Sequence, residues 1–107
     1  MMTAVQSILL VEDNANDVEL TLAALRSNHV VNEVVVMRDG ADALDYLFRR
    51  GRFAGRGPEG PGLILLDLKM PKVDGVEVLR ALKGDPTLRS IPVVMLTSSR
   101  EEQDVVR

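Results

Sequence analysis

Leu63-Ile-Leu-Leu-Asp67 places four apolar residues in a row and then one carboxylate. Four consecutive apolar residues followed by a polar stop fit a strand buried on both faces. The pattern recurs. Val5 to Val11, with the apolar run Ile8-Leu-Leu-Val11, leads into Glu12, Asp13 and Asn14, and Ile91-Pro-Val-Val-Met-Leu96 runs into Thr97. A further segment, Glu33 to Met37, holds Val34, Val35 and Val36 and reads as a short β-branched strand.

Helical patterns fill the intervals. Ala15, Val18, Leu22 and Leu25 recur at helical spacing behind Asn14, a suitable N-cap. Asp39-Gly40 turns the chain into a second helix, with Ala41, Leu44, Leu47 and Phe48 expected on its inner side. Asp74 to Lys83 predicts a third helix. Asp74 and Glu77 stand there at capping-box spacing, Val78, Leu79 and Leu82 face inward, and Asp85-Pro86 ends it. Ser98 with Glu101, or Ser99 with Glu102, predicts the cap of a fourth helix running toward Arg107. Gly51 to Gly62 carries five glycines and two prolines and reads as a long loop. Strands alternating with helices predict an α/β fold, a parallel sheet with helices on both faces and right-handed crossovers.

Composition narrows the function. A chain of 107 residues is one domain at most, and its 46% hydrophobic and 27% charged residues are an ordinary globular mix. Thirteen basic residues against sixteen acidic ones give no reason to expect a nucleic-acid surface. The absence of cysteine excludes disulfides, thiolate metal sites and cysteine nucleophiles. No apolar run approaches the roughly 18 residues of a membrane span. The start lacks the basic region and cleavage site of a signal peptide, so the expected address is the cytoplasm, with no membrane contact.

Ligands of open α/β sheets bind outside the carboxyl ends of the strands. Glu12-Asp13, Asp67 and Thr97 all stand at such ends, so a parallel sheet makes them candidates for one site. Two carboxylates about 5 Å apart repel by roughly 3 kcal/mol at an effective dielectric of 20. A divalent cation with oxygen ligands resolves that conflict, and Mg²⁺ suits one or two carboxylates, waters and a phosphate oxygen. An Asp carboxylate beside such an ion can attack phosphorus, and the Thr97 hydroxyl can donate to a phosphoryl oxygen. Singly, each residue has a plainer reading. Glu12-Asp13 can cap the next helix, and Thr97 can serve a strand-end turn. His29 reads as a solvated loop residue, Arg49, Arg50 and Arg52 as a solvated helix end, and Met70-Pro71 as turn chemistry.

With these residues in place, the sequence resembles the receiver domains of two-component response regulators. Ile8-Leu-Leu-Val-Glu-Asp-Asn14 is similar to the family's first strand and acidic pair, and Leu63-Ile-Leu-Leu-Asp-Leu-Lys-Met-Pro71 to its acceptor strand and loop. Val73-Asp-Gly75 and Ile91-Pro-Val-Val-Met-Leu-Thr-Ser98 match the turn into the third helix and the fourth strand. The long loop and Leu44-Asp-Tyr-Leu-Phe48 resemble most the small regulators paired with bacterial phytochrome kinases. The resemblance implies a flavodoxin-like strand order. It implies that Asp67 takes phosphate from a phosphohistidine on a sensor histidine kinase. It further implies that Asp13, Asp67 and the Lys69 carbonyl bind Mg²⁺, with Glu12 supporting through water. Thr97 would be the switch hydroxyl that reports to the fourth helix, and Pro71 and Gly75 would shape the acceptor loop. Homodimerisation is among the family's options. Such a domain is a signalling phospho-acceptor whose chemistry is confined to itself, not an enzyme in the usual sense.

A receiver also has a fifth strand, ending in a phosphate-contacting lysine, and a fifth helix. Neither is matched here, which leads to the expectation of a chain incomplete at its C-terminus or completed by another chain. Rival functions are weaker. A haloacid-dehalogenase-type phosphatase needs an acid two residues after its nucleophile, where this chain has Lys69. A P-loop NTPase needs a Gly-x-x-x-x-Gly-Lys-Ser/Thr run, and none exists. A binding module that never takes phosphate is the remaining alternative.

Overall fold

The structure is a computed structural model that describes residues 6–57, 59–68, 70 and 73–96. Four strands form one parallel sheet: β1 (Ile8–Val11), β2 (Val34–Met37), β3 (Leu63–Asp67) and β4 (Val93–Leu96), in the spatial order β2-β1-β3-β4. Three helices connect them: α1 (Ala15–Ser27), α2 (Gly40–Phe48) and α3 (Gly75–Lys83). This is the flavodoxin-like receiver order that the sequence implied. The strands begin later than expected at Ile8, Val34 and Val93. The predicted fourth helix lies outside the described residues.

Alternation along β1 and β3 divides the core in two. Leu9, Val11, Ile64 and Leu66 face α2 and α3, where they meet Ala43, Leu47, Val78 and Leu82. Ile8, Leu10 and Leu65 face α1 and pack with Val18, Leu22 and Leu25. The central strands are therefore buried on both faces, which is why they read as unbroken apolar runs. β4 is less covered, and Val94, level with Leu65, is 46% exposed.

The helices start where the caps predicted. Asn14 Oδ1 accepts the Asp17 amide at 3.0 Å, and Asp74 and Glu77 complete a capping box. In α2 the inner face is Gly40, Ala43, Leu44, Leu47 and Phe48, while Ala41 is exposed. The helix begins at Gly40, so the i, i+3, i+4, i+7, i+8 stripe counts from that glycine and leaves Ala41 outside. Ala15, at the start of α1, is likewise exposed. His29 is exposed just beyond the end of α1, in a left-handed conformation with φ of 62°.

The glycine-rich loop is more built than its composition suggested. It opens with a 3₁₀ turn (Gly51–Phe53) whose Phe53 ring meets Tyr46 edge-on at 5.3 Å. Arg52 stacks on Phe53 and Arg56 on Tyr46, at 4.7 and 4.4 Å, and Arg56 Nε donates to the Tyr46 carbonyl at 2.9 Å. Arg50 and Arg52 also pair with Asp45 and Asp42. Both pairs are solvated and contribute little to stability. The arginines expected as a solvated helix end are exposed, but two of them tie the loop back onto α2.

Burial sets a simple test of this core. Leu82 has no exposed surface, whereas Leu20 is 68% exposed on α1. Leu82→Ala should lower unfolding stability by about 2–5 kcal/mol in urea titration. Leu20→Ala should change it by less than about 0.5 kcal/mol.

Candidate functional site

The ladder register builds the site. Val11 of β1 is level with Leu66 of β3, so the next residues, Glu12 and Asp67, emerge side by side at the carboxyl edge of the sheet. The Glu12 amide continues the β1–β2 ladder by donating to the Met37 carbonyl at 3.0 Å. Asp67 still belongs to β3 and is level with Leu96 of β4. Both acids are almost fully buried, at 3% and 2% exposure, and Asp13 is half-buried beside them. One carboxylate oxygen from each of the three lies within 4.8 Å of the others. The sequence placed these acids on one edge, and the fold brings their ligand atoms together.

Such proximity has an electrostatic consequence. The Glu12 carboxyl is pushed from 4.5 up to about 7. Burial is the largest cause. The Asn14 amide, which donates to Glu12 Oε2 at 3.1 Å, acts the other way, and the charge of Asp67 and a hydrogen bond with it raise the value further. The cluster thus resists carrying its full negative charge. An all-oxygen, partly anionic donor set of this size fits a hard divalent cation such as Mg²⁺ or Mn²⁺.

The neighbouring backbone is shaped to admit the cluster. Gly75 opens α3, and its amide donates to the Leu68 carbonyl at 3.1 Å. A Cβ at Gly75 would overlap the Asp67 carbonyl, so only glycine lets α3 start this close to the end of β3. A Cβ at Gly40 would overlap the Val73 carbonyl in the same way, which presses the start of α2 against the chain leading into α3. Met70, assigned to turn chemistry, is buried in the core with Leu66, Val78 and Leu82. Lys69, Pro71 and Thr97 lie outside the described residues.

One neighbour escaped the sequence reading. Arg38 follows β2 directly, and its Nη2 donates to the Asp13 carbonyl at 2.8 Å. A single arginine after an apolar strand gives no signal that separates it from a solvated loop residue.

A parallel β2-β1-β3-β4 sheet with buried acids at its carboxyl edge can be compared with known proteins. The response regulator receiver domain model matches residues 8–107. The chain belongs to the receiver-domain family of two-component response regulators. Response regulator Rcp1 of Synechocystis sp. is 43% identical over 99 residues, covering 92% of this chain and 66% of Rcp1. The chain thus spans about two thirds of that relative's length. The structure of the bacteriophytochrome response regulator AtBRR is 60% identical with a TM-score of 0.86, covering 98% of this chain and 75% of AtBRR. The phosphorylated cyanobacterial phytochrome response regulator RcpA is 49% identical with a TM-score of 0.80, covering 95% of this chain and 71% of RcpA. The Mn²⁺-bound form of Rcp1 is 42% identical with the same TM-score of 0.80, covering 95% of this chain and 72% of that one. The resemblance to phytochrome-associated regulators therefore holds. Among the described residues, no helix is long and apolar enough to cross a membrane.

Glu12 makes the metal-free receiver pH-sensitive. Its folded-state value lies above its unfolded one, so between about pH 4.5 and 7 the folded protein holds more protons. Stability should be full below that window and decline as pH rises through it, by about 3 kcal/mol. Urea unfolding in EDTA should show this decline, and the Glu12→Gln protein should lack it.

Proposed function

We propose that this receiver accepts a phosphoryl group on Asp67 from a phosphohistidine of a sensor histidine kinase, in a Mg²⁺-dependent reaction. The observation that carries the proposal is the meeting of buried Asp67 with Glu12 and Asp13 at the carboxyl edge of the sheet, their ligand oxygens within 4.8 Å. The phosphorylated RcpA and Mn²⁺-bound Rcp1 structures support it by similarity.

An oxygen of the Asp67 carboxylate attacks phosphorus. The P–N bond to the donor imidazole breaks, the ring nitrogen keeps the electron pair, and Asp67 becomes an acyl phosphate. Water later attacks that phosphorus and returns the carboxylate and inorganic phosphate. The chemistry acts on the domain itself, so the protein is a phospho-acceptor with self-directed turnover. The end of β3 fixes the nucleophile, and the packing of Gly75 against the Asp67 carbonyl limits its drift. Asp13 and Asp67 would hold Mg²⁺ with the Lys69 carbonyl, and Glu12 would support it through water. When bound, Mg²⁺ offsets negative charge on the carboxylates and on the transferring group. The Thr97 hydroxyl would donate to a phosphoryl oxygen and pass the change to the segment that follows it.

The kinase partner is read as a bacterial phytochrome because AtBRR and RcpA are phytochrome response regulators. The reading places the protein in the cytoplasm, with homodimerisation as one way for the signal to leave the domain. Nucleic acid and membrane are not among its partners on this reading.

Incubation with Mg²⁺ and a small acyl phosphate should add one phosphoryl mass to the intact protein. The gain should vanish in Asp67→Asn, and EDTA should slow it at least about a hundredfold. An unchanged mass for the wild type would favour a binding module that never takes phosphate.

A further inference from the structure

Resting on that reading, we propose that Arg38 is a positioning residue that sets Asp13 for the metal. Asp13 stands on the short segment between Val11, where β1 ends, and Ala15, where α1 begins. Two consecutive residues of the β2–α2 junction hold two consecutive residues of this segment. The Met37 carbonyl accepts the Glu12 amide at 3.0 Å, and the Arg38 guanidinium donates to the Asp13 carbonyl at 2.8 Å. The second bond joins residues 25 apart in sequence and fixes the peptide whose side chain enters the acidic cluster.

The base of this arm is itself fixed. Met37 is buried in the core, and Asp39 caps α2 by accepting the Asp42 amide at 2.7 Å. Gly40 is packed against the Val73 carbonyl, next to the loop that leads from Asp67 into α3. The Met37–Gly40 junction is therefore anchored both in the core and against the chain that enters α3. Arg38 is exposed and spans the gap with a planar donor group.

A plainer role exists for the same side chain, as a positive charge offsetting three acids. The two roles predict opposite signs. A nearby guanidinium repels a divalent cation, so removing charge alone should tighten Mg²⁺ binding, by about two- to fivefold at moderate salt. Removing a brace should weaken it. Partners bonded to a ligand's own side chain typically change metal affinity by 10–100-fold. A single bond to the ligand's backbone should give less, about three- to tenfold.

The test is the Mg²⁺ dissociation constant of the full chain by calorimetry, with the unfolding midpoint in EDTA measured alongside. Arg38→Ala should bind Mg²⁺ about three- to tenfold more weakly, with its metal-free midpoint nearly unchanged. Arg38→Lys keeps charge and a donor, and should fall between Arg38→Ala and wild type. Equal or tighter binding by Arg38→Ala would overturn the inference, as would a metal-free midpoint that falls along with the affinity. Wild-type protein that binds no Mg²⁺ would instead overturn the proposed function, and this inference with it.

Discussion

The pairing of β1 with β3 puts two carboxylates where electrostatics disfavours them. Once Val11 is level with Leu66, Glu12 and Asp67 must stand side by side at the edge of a buried parallel sheet. Neither can turn away without breaking the ladder, because Glu12 donates its amide to β2 and Asp67 is still within β3. Burial and mutual repulsion push Glu12 up to about 7. Asp13 adds a third acid to the same small volume. In this receiver the buried apolar strands hold the three acids at one edge, where a divalent cation would offset their charge.

Most of this architecture was legible because the decisive elements are short and fully buried. Leu9, Leu10, Ile64 and Leu66 leave no surface exposed, and a strand with no solvent face has no polar residue to interrupt it. The acids that end the runs were visible for the same reason: the first polar residue after such a strand marks the sheet edge. The caps at Asn14 and Asp74 were equally plain, and each bonds the amide three residues on; Asp39, read only as part of a turn, caps α2 in the same way.

What was not legible depends on contacts between distant segments. The inner face of α2 was counted from Ala41 instead of Gly40, because a glycine without a side chain carries no apolar signal. It is buried here by a close backbone approach to Val73. The order in the Gly51–Phe53 turn comes from Arg52 and Arg56 lying on Phe53 and Tyr46, and arginines in a glycine-rich stretch read as solvated. Arg38 is the extreme case. Its partner is a backbone carbonyl, which carries no residue identity for a sequence to display.

The central claim is that Asp67, among all the acids of this chain, carries the phosphoryl group. Borohydride reduction after acyl phosphate treatment tests it at residue resolution. Hydride converts an aspartyl phosphate to the alcohol and releases inorganic phosphate, leaving a permanent mark on the side chain. Peptide mapping should find that mark at position 67 and only when Mg²⁺ was present. Reduction at Asp13, at Glu12 or at no position would contradict the account.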